Sequence, residues 1–208
     1  MTPSPATSPT APPVRLLICG FGGFPGFPDN PAARVVERLR ATAWAPPRAE
    51  TAYQLIPTTW GEGHRAAARA AKAFEPDGVL VLGVAGGADC FRVETQACNL
   101  AGTGRPDAEG AVHDTAFISL AGPDIATTTA PAAAMVEAIA KAGLPVCASS
   151  NAGDYLCNYV FYRLLTEAPA SCTAFLHLPP DLDLDALERG AKAAAAALGL
   201  SLRRTTRS

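Results

Sequence analysis

Three short runs in this chain are apolar almost from end to end: Val14–Gly20 (VRLLICG), Gly78–Gly83 (GVLVLG) and Thr173–Leu176 (TAFL). They lack the apolar–polar alternation of a strand with one wet face. A strand that reads this way is covered on both faces, which is the condition of strands in parallel sheets flanked by helices. Helical patterns fall between the runs. Pro31–Ala41 is amphipathic with Pro at its first position; Gly61–Phe74 is rich in Ala and Arg. Pro131–Ala142 and Leu182–Leu198 follow, the last with acidic residues early. Further strands are expected at Ala52–Trp60, Cys90–Asn99, Thr115–Leu120 and Leu144–Ala148. Strands alternating with helices predict an α/β fold: a single three-layer αβα domain of the phosphorylase- or hydrolase-like kind. Its sheet is twisted and mostly parallel, with helices on both faces.

No repeat and no linker interrupts residues 14–200, so they are read as one catalytic α/β domain. Residues 1–13 are Pro, Ser and Thr rich and are expected to be disordered, with 201–208 a frayed, solvated tail. The N-terminal stretch has neither the charged n-region nor the apolar h-region of a secretory signal, and no apolar run is long enough to span a membrane. A formal net charge of −2 gives no electrostatic reason to expect nucleic acid or an anionic membrane surface as partner. The six cysteines are scattered without a CxxC pair. In a chain read as cytoplasmic they are expected to be free thiols, mostly buried.

Chemistry concentrates in Ser149–Tyr162, SSNAGDYLCNYVFY. An apolar strand leads into a small polar turn and then an aromatic helix, with Cys157 at the helix start. Asn151–Asp154 is expected to supply the turn and the N-cap. Free N–H groups and the positive end of the dipole ease the loss of a thiol proton there, which suits a nucleophile. Glu94 and His177 each sit near a strand end, so the topology brings a thiol, an imidazole and a carboxylate to one rim. Phe21 and Phe24 lie on a Gly/Pro loop straight after the first strand, where open α/β sheets line ligand pockets. His64 and His113 have no partners at metal spacing, so no metal site is expected. The turn Val84–Asp89 lacks the phosphate-cradling glycine patterns.

Taken together, GFGGFPG with Asn30-Pro31, LGVAGGADCFRVETQACN (Leu82–Asn99), GRPDAEG (Gly104–Gly110), SNAGDYLCNYVFY (Ser150–Tyr162) and AFLHLPP (Ala174–Pro180) resemble the pyroglutamyl peptidase I family of cysteine peptidases. The resemblance spans about residues 15–180 in order. It implies that Cys157 is the nucleophile, His177 the general base and acid, and Glu94 the residue that orients His177. It implies substrate contacts from Phe21 and Phe24 to the pyroglutamyl ring, and from Asn30, Tyr155 and Leu156. The implied reaction is removal of an N-terminal pyroglutamyl residue from a peptide, without a cofactor, in the cytoplasm. A homo-oligomer is implied too, since the family is often tetrameric.

The sequence departs from the family at several of these positions. Many bacterial members carry Gln at the place of Val84 and Arg at the places of Ala88 and Thr95, although other branches lack them. Asp154 puts an anion close to Cys157, and Arg105 occupies a pocket position that is often apolar. Two other readings stand beside a peptidase: a catalytically silent pyroglutamyl-binding protein on this fold, and a nucleoside-phosphorylase-like enzyme. The second needs phosphate-binding Arg or Ser in the Gly turn, where the chain has Ala88 and Asp89.

Overall fold

The protein is described by a computed structural model that covers residues 12–24 and 28–205. The N-terminal segment before residue 12, Phe27 in the loop after the first strand and the last three residues lie outside it.

The chain opens with β1 (Val14–Phe21), α1 (Pro31–Ala41), β2 (Ala49–Ile56), α2 (Glu62–Phe74) and β3 (Gly78–Val84). Then come β4 (Phe91–Glu94), β5 (Gln96–Cys98), β6 (Ile125–Thr127) and α3 (Ala132–Lys141). It closes with β7 (Val146–Ser149), α4 (Leu156–Glu167), β8 (Cys172–Leu178) and α5 (Leu184–Thr205). Six strands form the main sheet in the order β2-β1-β3-β8-β4-β7, and β5 and β6 form a separate two-stranded sheet.

Both faces of the sheet are covered, which is why the central strands read as unbroken apolar runs. Leu16, Ile18, Leu80, Leu82, Leu176 and Leu178 pack with α1, α3 and α5 on one face. Their neighbours Leu17, Cys19, Phe21, Val79, Val81 and Phe175 pack with α2 and α4 on the other. Pro at the first position of α1 leaves no lost hydrogen bond, and the Asn30 side chain caps that helix by accepting from Ala32 N–H. Gly20 lets α1 approach β1 closely, since a Cβ there would lie 2.7 Å from the Ala32 carbonyl oxygen.

The sheet is parallel from β2 through β8, but β4 runs antiparallel to β8, and β7 runs parallel to β4. This half differs most from the sequence reading. The expected strand Cys90–Asn99 is two elements: it breaks at Thr95, whose N–H and hydroxyl both bond the Ser149 carbonyl, and the remainder pairs with β6. No strand forms at Thr115–Leu120. Asn99 Oδ1 accepts from Ser119 N–H there, and Leu120 is exposed. The second strand starts at Ala49 and stops before Pro57, which has no N–H for a ladder. The last helix continues past Leu198, the expected end, to Thr205, because Leu202 still packs on the first core beside Gly78. All six cysteines are free, but only Cys19 and Cys172 are buried. Cys147 is exposed on the edge strand β7, with its sulfur 3.3 Å from that of Cys90.

Candidate active site

Side-chain alternation along two strands builds the centre of the site. On β8, Leu176 and Leu178 enter the first core, so Phe175 and His177 project to the face that carries α4. On β4, Phe91 and Val93 also enter the first core, which turns Arg92 and Glu94 to that same face. The antiparallel register sets Arg92 opposite His177 and Glu94 opposite Phe175. Glu94 therefore lies deeper than His177. It does not sit on the carboxyl rim, where a fully parallel sheet would have put it. From there its Oε1 accepts from His177 Nδ1 at 2.8 Å. Both residues are buried, Glu94 to 1% exposure and His177 to 4%.

Burial favours the neutral imidazole, but it is outweighed. A hydrogen bond and charge interaction with Cys157, and then the same from Glu94, push the His177 pKa up to about 9. Nδ1 is taken by Glu94, which leaves Nε2 for the sulfur. The Phe175 ring lies 4.7 Å from the imidazole, centroid to centroid, and fixes its plane from one side.

Cys157 is the second residue of α4 and stands over Gly83, near the end of β3. A Cβ at Gly83 would lie 2.9 Å from the Cys157 sulfur and 2.8 Å from the tip of Phe175, so the site needs glycine there. The expected N-cap from Asn151–Asp154 is absent. Asn151 Oδ1 accepts from Gly153 N–H and makes the turn, but the capping residue of α4 is Tyr155, which makes no side-chain cap. The first N–H groups of α4 thus point out of the helix without a side-chain acceptor, next to the sulfur. Asn158, wholly buried one residue further on, ties α4 down. Its amide nitrogen donates to the Cys98 and Leu100 carbonyls and its oxygen accepts from Cys98 N–H.

A cavity of about 190 Å³ opens beside the thiol. Phe21, Phe24, Asn30, Tyr155 and Leu156, the five substrate residues the sequence implies, all line it together with Cys157. Asn30 is there in a different capacity from a free amide, however. Besides capping α1, its Nδ2 donates to the Gly22 carbonyl, which also accepts from the Thr58 hydroxyl. Asn30 and Thr58 together hold the loop peptide after β1.

Arg105 forms another part of the wall. It comes from the loop 101–111, which is folded by the buried Asp107. That carboxylate accepts from the backbone N–H groups of Trp60, Glu109 and Ala111. The Arg105 guanidinium lies 4.2 Å over the Tyr155 ring and 3.2 Å from Asp154. The Tyr155 hydroxyl donates to the Pro106 carbonyl at 2.6 Å.

Sequence reasoning missed Gly83, Phe175, Thr58, Asn158 and Arg92. Phe175 and Arg92 were within reach, because each stands two residues from a named site residue on the same strand. Gly83 and Thr58 depend on packing between distant elements and left no local sign. His64 and His113 stay outside the site. They stack on Tyr159 on the α2 side, where burial, the leading cause, lowers the His64 pKa.

Residues 14–196 match the family model described as Pyroglutamyl peptidase. The pyrrolidone-carboxylate peptidase of Streptococcus pyogenes is 32% identical over 197 residues, covering 87% of this chain and 90% of that protein. The protein of the same name from Levilactobacillus brevis is 36% identical over 171 residues, covering 80% of this chain and 82% of its own length. Among solved structures, pyroglutamyl peptidase I of Bacillus amyloliquefaciens superposes with a TM-score of 0.85 at 30% identity, covering 90% of this chain and 96% of that one. The match in sequence and in fold runs over nearly the whole described chain, and this chain belongs to the pyroglutamyl peptidase family.

Proposed function

We propose that this chain is a cysteine exopeptidase that removes an N-terminal pyroglutamyl residue from peptides, with Cys157, His177 and Glu94 as its working residues. One observation carries the assignment of residues: a buried imidazole bonded at 2.8 Å to a buried carboxylate, lining one cleft with a thiol at a helix start. Family membership supports the reaction.

In this reading the Cys157 sulfur attacks the carbonyl of the pyroglutamyl residue, whose ring lies in the cavity between Phe21, Phe24 and Tyr155. The uncapped N–H groups that open α4, joined by the Gly86–Gly87 turn, receive the oxyanion, where a charge develops that no side chain already satisfies. His177, charged through the neutral range by its raised pKa, gives its Nε2 proton to the leaving amine. It then takes a proton from the water that releases the acyl group. Glu94 holds the Nδ1 proton and the plane of the ring. The ring carbonyl and N–H of pyroglutamate are read by backbone groups of the loop after β1 and near Tyr155, because Val84 offers no amide. The residues after pyroglutamate leave towards the His177 side. A cytoplasmic homo-oligomer, with no nucleic acid or membrane as partner, completes the reading. Among the described residues, no helix is long and apolar enough to cross a membrane.

The test is hydrolysis of a pyroglutamyl fluorogenic amide, with and without iodoacetamide, by the wild type and Cys157→Ser. Turnover that the alkylating agent and the substitution both abolish is expected. Turnover retained by Cys157→Ser would remove the thiol from the mechanism. Absent turnover together with a ligand-dependent thermal shift would favour a silent binding protein.

A further inference from the structure

Two clefts meet at Cys157. One is the ring cavity described above. The other, about 310 Å³, is polar and is lined by Arg92, Arg105, Asn151, Asp154, Cys157 and His177. The two sides of the scissile bond have different needs. The acyl side needs faces for a flat ring, which the first cavity has. The leaving amine needs a proton from His177, so the peptide beyond it must enter the second cleft. This assignment rests on the pyroglutamyl reading.

One cation of the second cleft has no carboxylate partner among the described residues. Glu94 is buried beneath it and bonded to His177. Asp154, the one carboxylate on its wall, is paired with Arg105. Arg92 is left over. It is held on β4 directly opposite His177, and among the described residues it makes no ion pair and no side-chain hydrogen bond. An arginine is a rigid fork of donors that matches a carboxylate two bonds at a time. We propose that Arg92 makes this cleft a carboxylate-reading subsite, so that peptides presenting a carboxylate on the residue after pyroglutamate are the preferred substrates. The carboxylate comes from an acidic side chain or, in a pyroglutamyl dipeptide, from the chain end.

Two matched pairs of substrates separate these sources: pyroglutamyl-glutamate amide against pyroglutamyl-glutamine amide, and pyroglutamyl-alanine against its amide. Each pair is run on the wild type, Arg92→Gln and Arg92→Lys. The expected result is about a tenfold higher kcat/KM for the carboxylate member of at least one pair, as one charge-assisted contact gives. The preference should shrink at high salt, fall to about unity in Arg92→Gln and return in part in Arg92→Lys. The pair that shows it names the source. Equal rates within both pairs, or a preference that Arg92→Gln leaves intact, would overturn the proposal. Binding is read separately, from the Kd of the glutamate and glutamine amides on Cys157→Ser. The same Cys157→Ser protein is also titrated with pyroglutamyl-alanine and its amide. Loss of turnover on all four substrates counts against the pyroglutamyl reading, whereas equal Kd values within both pairs count against the carboxylate subsite.

Discussion

Two acid–base pairs stand beside the cleft that Cys157 lines, with similar separations and opposite surroundings. Glu94 and His177 are 2.8 Å apart with side chains 0% and 6% exposed; Asp154 and Arg105 are 3.2 Å apart with side chains 56% and 58% exposed. In the first pair, water has been removed and the protonation of His177 is set by burial, the thiol and Glu94. In the second, solvent screens the attraction and two flexible side chains lose freedom to form it. The same Coulomb contact is thus buried beneath the thiol in one place and shapes an exposed cleft wall in the other. Removing a partner from a buried pair strands a charge, at about 3–5 kcal/mol; exposed pairs are typically worth about 0–1 kcal/mol.

The largest effect should come from the buried centre. His177→Ala is expected to lower kcat/KM by about 10³-fold or more, and Cys157→Ala by at least as much. Their combination should be little worse than either alone, because groups that act as one unit give non-additive losses. Losses that multiply in single-turnover assays would show that the thiol and the imidazole work separately.

Next is Glu94→Gln, expected to cost about 10²-fold because it weakens orientation without removing the base. This variant also carries the pH test. The folded-state pKa of His177 is raised to about 9 from an ordinary value of 6.5, so folding favours the charged ring. The sign follows: this contribution to stability is complete below about 6.5 and is lost as pH rises through about 9. Thermal melts between pH 6 and pH 10 should show a decline that flattens in Glu94→Gln. The decline should flatten further in Cys157→Ser, since the sulfur is the larger of the raising influences. Parallel curves for all three proteins would mean that His177 is not charged in the folded state.

Gly83→Ala probes the same centre through packing. One methyl must displace either the Cys157 sulfur or the Phe175 ring that backs His177. About 1 Å of misplacement can cost on the order of 10²-fold in rate. A normal kcat in a variant whose crystal structure shows the sulfur moved would break the link between this packing and catalysis.

The same contrast separates what could be read from the sequence. The central runs Val14–Gly20 and Gly78–Gly83 pointed to buried parallel strands, because nearly unbroken apolar runs that short, each ending in Gly and followed by a helical pattern, fit strands covered on both faces. Cys157, Glu94 and His177 could be named because local pattern and the resemblance agreed on them. The direction of β4 could not be read. Phe91–Glu94 alternates in the same way whether it runs with β8 or against it, so Glu94 was placed on a rim and found two residues deeper. The missing cap on α4 could not be read either. Asn151 and Asp154 are good capping residues by type, yet Asn151 is used in its own turn and Asp154 faces Arg105. Sequence conveys what each residue is able to do; which of its options it takes is decided by neighbours that are distant along the chain.

The smallest effect belongs to the exposed pair, and it is the sharper test of the comparison because it predicts almost nothing for stability. Asp154→Asn removes an anion that stands in the cleft beside Cys157 and frees Arg105 from its only ion pair among the described residues. The melting temperature should move by less than about 2 °C, since a solvent-exposed pair contributes so little. Turnover of a neutral pyroglutamyl amide should change by less than about threefold, because solvent screens a charge this exposed. Arg105 should hold its place over the Tyr155 ring at 4.2 Å, as this contact needs no carboxylate. A fall in melting temperature of more than about 5 °C would mean that the pair is coupled to the loop 101–111 as a structural clamp. Its exposure would then be a poor guide to its worth, and the contrast with Glu94 and His177 would fail.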